Sequence, residues 1–235
     1  MDCVVEVNVG QDRCGVEPGK PAVELAKHIL ELPNVTFKGI QCYQGWNQHV
    51  RKIPDRKEAV GVVIKKTRDT LQAFKEAGID CPYVTGGGTG TYLFEADSGV
   101  FTEVQPVSFL IVFAKGSYIF MDADYNKNLD VTGNFAKDFV QSLYVLGTIQ
   151  SVTKEDRAVI DAGMKAVEGH PNTVYNIGGD EHGILIPGSG YKVGDLVMLI
   201  PGHCDPTVNM YDWLIGIRDS KVESLWPVLG RGPGV

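Results

Sequence analysis

No stretch of this sequence reaches the ~18 consecutive apolar residues that a bilayer-spanning helix requires, so no membrane partner is expected. Positive charge is in the minority: 22 lysines and arginines face 29 aspartates and glutamates, for a net charge of −7. That balance offers no basic surface to a phosphate backbone, and no nucleic-acid partner is expected either. The five cysteines (Cys3, Cys14, Cys42, Cys81 and Cys204) are scattered and show no CxxC spacing. An odd, unpatterned set reads as the reduced thiols of a cytoplasmic protein, not as a disulfide framework. The opening MDCVVEVNVG has neither a basic n-region nor a small-residue cleavage site, so no signal peptide is expected. No internal repeat or low-complexity segment stands out.

What remains is ordinary globular material, 43% hydrophobic and 22% charged over 235 residues, enough for one large domain or two small ones. Residues 3–9 (CVVEVNV) form a β-branched run closed by Gly10. Pro21 then opens a helix in which Val23, Leu25, Ala26, Ile29 and Leu30 recur at helical spacing. Residues 35–43 (VTFKGIQCY) read as a second strand. A second helix is expected from Asp55, with Glu58 completing a capping box. Its stripe is Val60, Val63, Ile64, Thr67, Leu71 and Phe74, and Gly78 stops it. A third strand, residues 81–85 (CPYVT), runs straight into GGGTGT. This alternation implies parallel strands joined by helical crossovers.

The pattern changes after about residue 102. The runs GSYIF, YVLGTI, AVIDAG, GILIPGSG, GDLVMLIPG and LIGIRDSKVESLW are short, β-rich and separated by turn signals. Only KEDRAVIDAGMKAV can pass for a helix, and its VIDAGM part reads equally well as a strand. The expected fold is α/β plus all-β: residues 1–125 as the C-terminal units of a partial (β/α)8 barrel, and residues 126–235 as a β domain. A closed barrel takes ~250 residues, about 30 per unit. About three such units precede the β domain, so either the fold is small and unusual or about half the barrel lies upstream of Met1; the second is expected.

Four groups of residues can carry chemistry, each with a plainer alternative. In VNVGQDRCGV (7–16) a strand end delivers Arg13 inside a Gly-rich turn, where its planar fork can bond an anionic or phenolic oxygen. It can equally be a surface loop residue. In GIQCYQGWNQH (39–49), Tyr43, Gln48 and His49 gather at the C-terminal end of a parallel strand, where α/β enzymes place their chemistry. A histidine there suits general acid–base work, although a loop histidine is often only solvated. The loop TGGGTGT (85–91) follows a strand; its amides can nest a phosphate, with Thr89 and Thr91 adding hydroxyls. No Lys-Ser/Thr pair follows it and it lacks a GxGxxG context; glycines also serve turns for steric reasons alone. In LIPGHCDPTVNMYD (199–212), His203 and Asp205 are two apart. On an extended segment they share a face and Cys204 takes the other, with Pro206 ending the strand. Such a pair can chelate a divalent metal; a hydrogen-bonded loop pair is the alternative.

The segments VGQDRCGV, YQGWNQH, TGGGTGT, GSYIFMDADY, DAGMKAV, EHG, PGHCDPTVNMYD and the terminal VESLWPVLGRG stand in the order seen in one family. That family contains D-threonine aldolases, 3-hydroxyaspartate aldolases and D-serine dehydratases, and the chain resembles it over essentially its whole length. The resemblance implies an alanine-racemase-like fold: a (β/α)8 barrel holding pyridoxal 5'-phosphate, then a β domain, usually in a homodimer. It implies a small β-hydroxy-D-amino acid as substrate. It implies that Arg13 contacts the cofactor's phenolic oxygen, that Tyr43 lines the cofactor, and that Gly87, Gly88 and Thr89 hold its phosphate. His49 matches the family's acid/base, and His203 and Asp205 match its metal ligands. Aldolases of the family carry Asp at the second metal position and dehydratases carry Cys. Asp205 therefore implies retro-aldol cleavage with Mn²⁺ or Mg²⁺; dehydration of D-serine or 3-hydroxyaspartate with Zn²⁺ is the alternative.

Two departures from the family pattern stand out. No segment matches the one that carries the family's cofactor-anchoring lysine. By itself the chain is therefore expected to be inactive, as the later part of a longer lyase or as a truncated, non-catalytic remnant. In the family Gln-Pro runs directly into Gly-Ser-Tyr, whereas here residues 107–115 (VSFLIVFAK) intervene. A valine codon begins with GT and a lysine codon can end in AG, so this segment is read as a retained short intron. An added strand or extended hairpin is the structural alternative.

Overall fold

Four strands, β1 (Asp2–Glu6), β2 (Thr36–Cys42), β3 (Tyr83–Gly86) and β4 (Glu103–Val104), pair in sequence order as a parallel sheet. Their positions come from a computed structural model that describes residues 1–105, 117–163 and 174–231. The 107–115 segment and most of the DAGMKAV motif lie outside the described residues. β-branched alternation accounts for β1: Val5 and Val7 are buried with Ile40, Cys42 and Val84 against the helices. Those helices are α1 (Lys20–Glu31) and α2 (Ile53–Glu76), which contribute Ala22, Val23, Ala26, Val63 and Phe74 to the same core. Phe74 stacks on Phe37 with centroids 5.5 Å apart. In register across the sheet, Glu6, Gln41, Thr85 and Glu103 form a polar row. There Tyr83 and Thr85 both donate to Glu103 Oε1, at 2.6 and 2.8 Å.

Several expectations change in detail. The sheet holds a fourth parallel strand beyond the three expected, although it is two residues long. α2 starts at Ile53, with Pro54 in its first turn, and no side chain caps it, so Asp55 and Glu58 form no capping box. Gly78 ends α2 as expected, at φ +68°. On α1 the stripe is narrower than its spacing implied, for Leu25 and Leu30 are exposed. After the glycine loop comes a short helix, α3 (Tyr92–Asp97), and GSYIF is not a strand: Ser117–Phe120 is a helical turn, α4.

The second part of the chain is antiparallel. Strands β5 (Val145–Lys154), β6 (Arg157–Ile160), β7 (Val174–Ile177), β8 (Gly183–Ile186) and β9 (Leu196–Leu199) form a sheet in the order β7-β8-β6-β5-β9. Ile149, Ala158, Ile160, Leu185 and Leu199 make its core. Within KEDRAVID, Lys154 ends β5, Glu155 and Asp156 form a turn and Arg157–Ile160 form β6. A short helix α5 (Cys204–Val208) follows, then the hairpin β10 (Trp213–Arg218) and β11 (Lys221–Pro227). Asp219 and Ser220 turn that hairpin, both with positive φ, as a two-residue turn of matching twist requires. The architecture is thus a partial parallel α/β barrel followed by an antiparallel β domain.

The chain separates into two units that interleave in sequence. One comprises Met1–Tyr118 and Lys127–Lys137, the other Ile119–Asn126 and Asp138–Val235. In the first unit, buried Arg56 clasps the returning segment, donating to the carbonyls of Val50 (2.6 Å), Arg51 (2.9 Å) and Leu129 (3.2 Å). Among the described residues no helix is long and apolar enough to cross a membrane. The cysteines are all free, and burial pushes the Cys42 thiol up to about 12.

Candidate functional site

Because β1, β2 and β3 are parallel, the loops that leave them open at one end of the sheet. The β1 loop is shaped by Asn8, whose Oδ1 accepts from the amides of Gly10 and Asp12, both at 3.1 Å. This turn presents Arg13, which is exposed, and its guanidinium carbon lies 5.8 Å from the centre of the Tyr43 ring. The structure therefore brings Arg13 and Tyr43 together from the first two loops. Gln11 ties the same loops, accepting from the Gly45 amide at 2.9 Å.

The β2 loop ends in a 3-10 turn, Trp46–His49, which leaves His49 exposed and Gln48 buried. Gln48 frames the glycine loop. Its Oε1 accepts from the Gly90 amide, its Nε2 donates to Thr91 Oγ1, both at 2.9 Å, and its carbonyl accepts from Asn128 at 3.1 Å. Thr91 in turn donates to Glu95 Oε1 at 3.0 Å. A Cβ at Gly88 would lie 2.6 Å from Gln48 Oε1, and one at Gly90 2.3 Å from the Gln48 carbonyl oxygen. Gly87, at φ +67°, packs against the Glu95 carboxyl. The glycines are thus demanded first by this internal frame. The Gly88 amide is itself part of the frame, donating to Thr91 Oγ1 at 3.3 Å.

Burial raises Glu95 to about 7, and its Oε2 has no hydrogen-bond partner among the described residues. Neither Gln48's framing role nor Glu95 was expected from the sequence. The only local signal for Glu95 was its i+4 spacing from Thr91.

The second group lies in the other unit. His203 has extended backbone at the N-cap of α5, and Asp205 and Pro206 lie within that helix, so the expected extended segment is not what forms. The two side chains still meet: His203 Nε2 lies 3.6 Å from Asp205 Oδ2. Cys204 does not point away either. It is buried, its thiol lies 3.5 Å from Asp205 Oδ1, and Asp122, His203 and Cys204 offer ligand-type atoms within 4.8 Å of one another. Helical geometry turns the residue after the N-cap inward, which the strand reading missed.

Asp122, absent from the sequence-derived site, is fully buried beneath His203. Its Oδ1 accepts from the amides of Asp124 (3.1 Å) and Tyr125 (2.8 Å). Its Oδ2 lies 3.0 Å from His203 Nδ1 and 3.2 Å from the Cys204 amide. The hydrogen bond to Asp122, then the Cys204 side chain and the charge of Asp205, raise His203 to about 10 against the opposing effect of burial. The Asp-x-Asp-Tyr run of MDADY carried a faint signal, since an Asp bonding amides two and three residues on is a turn signature.

Two family models match. The one for the alanine racemase N-terminal domain covers residues 1–110, and the one for a putative serine dehydratase domain covers residues 142–217. A 3-hydroxy-D-aspartate aldolase from Paracoccus denitrificans is 40% identical over 98% of this chain and 60% of its own length. A D-threonine aldolase from an Arthrobacter species is 39% identical over 99% of this chain and 61% of its own. Among solved structures, the D-threonine aldolase from Filomicrobium marinum superposes with a TM-score of 0.87 at 36% identity, over 98% of this chain and 63% of that one. The chain spans about 60% of the length of the curated relatives it matches.

Proposed function

We propose, from the premise that this chain belongs to the D-threonine and 3-hydroxy-D-aspartate aldolase family of alanine-racemase-like proteins, that it is part of a lyase. That lyase would use pyridoxal phosphate and a divalent metal to cleave β-hydroxy-D-amino acids by a retro-aldol reaction. The observation that supports this most is the His203–Asp205 pair, an imidazole nitrogen and a carboxylate oxygen 3.6 Å apart on an exposed helix end. This nitrogen–oxygen donor set suits a hard or borderline ion such as Mn²⁺ or Mg²⁺. The cofactor, when bound, would supply an electron sink for the bond broken at the substrate Cα, and the metal a Lewis acid. Arg13 would donate to the cofactor's phenolic oxygen and Tyr43 would line it. The loop residues Gly87, Gly88 and Thr89 would hold its phosphate, and His49 would take and return the proton of the substrate hydroxyl.

One observation favours dehydration instead. The Cys204 thiol lies in the same cluster as His203, and a thiolate ligand would favour zinc. Metal content of Cys204→Ala and Asp205→Ala separates the readings. The aldolase reading expects stoichiometric metal in the first and loss in the second, and the reverse result moves the protein to the dehydratases.

Activity is the second test. By itself the 235-residue chain should not turn over, because no cofactor-anchoring lysine is identified in it. Joined to the barrel segment of a relative that lies outside the matched region, it should bind the cofactor and release an aldehyde from a β-hydroxy-D-amino acid. Release of a keto acid and ammonia would indicate dehydration. Failure to form either product in a folded, cofactor-loaded fusion would dispose of the proposal, and turnover by the chain alone would show that a lysine of its own serves.

A further inference from the structure

We propose that Asp122 is the orienting carboxylate of this centre: it holds His203 through Nδ1–H, turns Nε2 toward Asp205, and does not itself bind the ion. The inference rests on the metal reading above and deepens it. By proximity alone Asp122 ranks as a ligand, because its carboxylate stands within 4.8 Å of the His203 and Cys204 donor atoms. The hydrogen bonds exclude that role. An ionised carboxylate has about four lone-pair positions, and here four donors already occupy them: two amides on Oδ1, and the Cys204 amide and His203 Nδ1 on Oδ2.

A carboxylate oxygen only accepts, so His203 Nδ1 must carry the proton of that contact. When the ring releases a proton to an ion, that proton leaves Nε2, which faces Asp205. This is the carboxylate–histidine–metal arrangement in which an outer group fixes the ring and its tautomer. The backbone is arranged for the same purpose. Met121, immediately before Asp122, is buried at φ +53°, a left-handed conformation that costs an L-residue ~1–2 kcal/mol. The Ala123 amide, donating to the Pro201 carbonyl at 2.8 Å, pins this turn to the strand end that leads into His203.

The test uses the full 235-residue chain, with Mn²⁺ alone as the probe of affinity and Zn²⁺ as the diamagnetic probe for nitrogen NMR of the His203 ring. In the wild type the zinc-bound nitrogen should be Nε2 and the protonated one Nδ1. In Asp122→Asn the amide group meets two donors, so the ring should adopt the other tautomer and Mn²⁺ should bind ~10–100-fold more weakly, still at one ion per chain. His203→Ala should remove binding altogether. Zinc on Nδ1 in the wild type overturns the proposal without recourse to any variant. So does complete loss of Mn²⁺ in Asp122→Asn, which would make Asp122 a ligand, or affinity unchanged from the wild type. If the wild type binds neither ion, the metal reading fails on its own. The orienting role is then decided by the His203 Nδ1–H signal of the ion-free chain. Slow exchange that disappears in Asp122→Asn upholds the role, and fast exchange in both overturns it.

Discussion

At pH 8 the Glu95→Gln variant should be more stable than the wild type by about 3 kcal/mol, and the difference should vanish near pH 4. The reason is the buried carboxyl behind the glycine loop. Its ordinary value of 4.5 rises to about 7 in the folded chain because burial disfavours the charged form. A shift of that size corresponds to roughly 3 kcal/mol at ~1.4 kcal/mol per pH unit. The folded state holds the proton more tightly than the unfolded state, so the neutral acid folds at no electrostatic cost below pH 4.5. Stability then declines as pH rises through about 7, and levels off above it. Glutamine keeps an oxygen for the Thr91 hydroxyl and carries no charge at any pH, so its stability should be flat across the same window. Urea unfolding at several pH values from 4 to 8 checks this. A wild-type profile as flat as that of the variant would mean the carboxyl has a partner that compensates its burial. The same substitution should tighten inorganic phosphate binding at pH 8, because Glu95 packs against Gly87 and its negative charge opposes an anion on that loop.

His49→Ala should lower kcat by ~10²–10⁴ in the cofactor-loaded fusion if the exposed histidine moves the substrate proton, while leaving cofactor affinity unchanged. The adjacent residue supplies the contrast. Gln48 is buried and bonds the Gly90 amide, Thr91 and Asn128, so Gln48→Ala should loosen the glycine loop and weaken cofactor binding. Two neighbours on one 3-10 turn are thus expected to fail in different parameters, His49 in kcat and Gln48 in the dissociation constant. Steady-state rates at saturating cofactor, with a fluorescence titration of cofactor alone, separate them. An unchanged kcat in His49→Ala would remove that residue from the chemistry.

The parallel sheet was legible because CVVEVNV and VTFKGIQCY are short β-branched runs while Val60, Val63, Thr67 and Phe74 repeat with the period of a helix. Ends were less legible. Pro54 starts α2 before the polar residues that looked like its cap, since proline's fixed φ already suits the first turn. GSYIF misled because Tyr118, Ile119 and Phe120 favour strands only where a pleated neighbour receives them. For His203 and Asp205, the spacing pointed to proximity on the wrong backbone: a strand was assumed, and a helix N-cap brings them together. Asp122 was out of reach of local reasoning, because 81 positions separate it from His203 and its role exists only through that contact. Gln48 was noticed for its place in the loop, but its partner Thr91 stands 43 residues away.

The interleaving of the two units bears on how this polypeptide can be dissected or recombined. A cut at a single peptide bond cannot part them, since the chain passes from one to the other three times between Tyr118 and Asp138. A β-domain expression clone begun at residue 142, where the serine dehydratase family model starts, would retain His203, Cys204 and Asp205 but omit Asp122. It would carry His203 without the buried carboxylate that hydrogen-bonds its Nδ1. Crossovers in gene shuffling meet the same constraint from the other side. A junction between residues 126 and 128 would pair Asp122 of one parent with His203 of another while splitting the Asn128–Gln48 and Arg56–Leu129 contacts of the first unit. No single junction spares both units: one before residue 119 separates Gln48 and Arg56 from Asn128 and Leu129, and one after residue 137 separates Asp122 from His203.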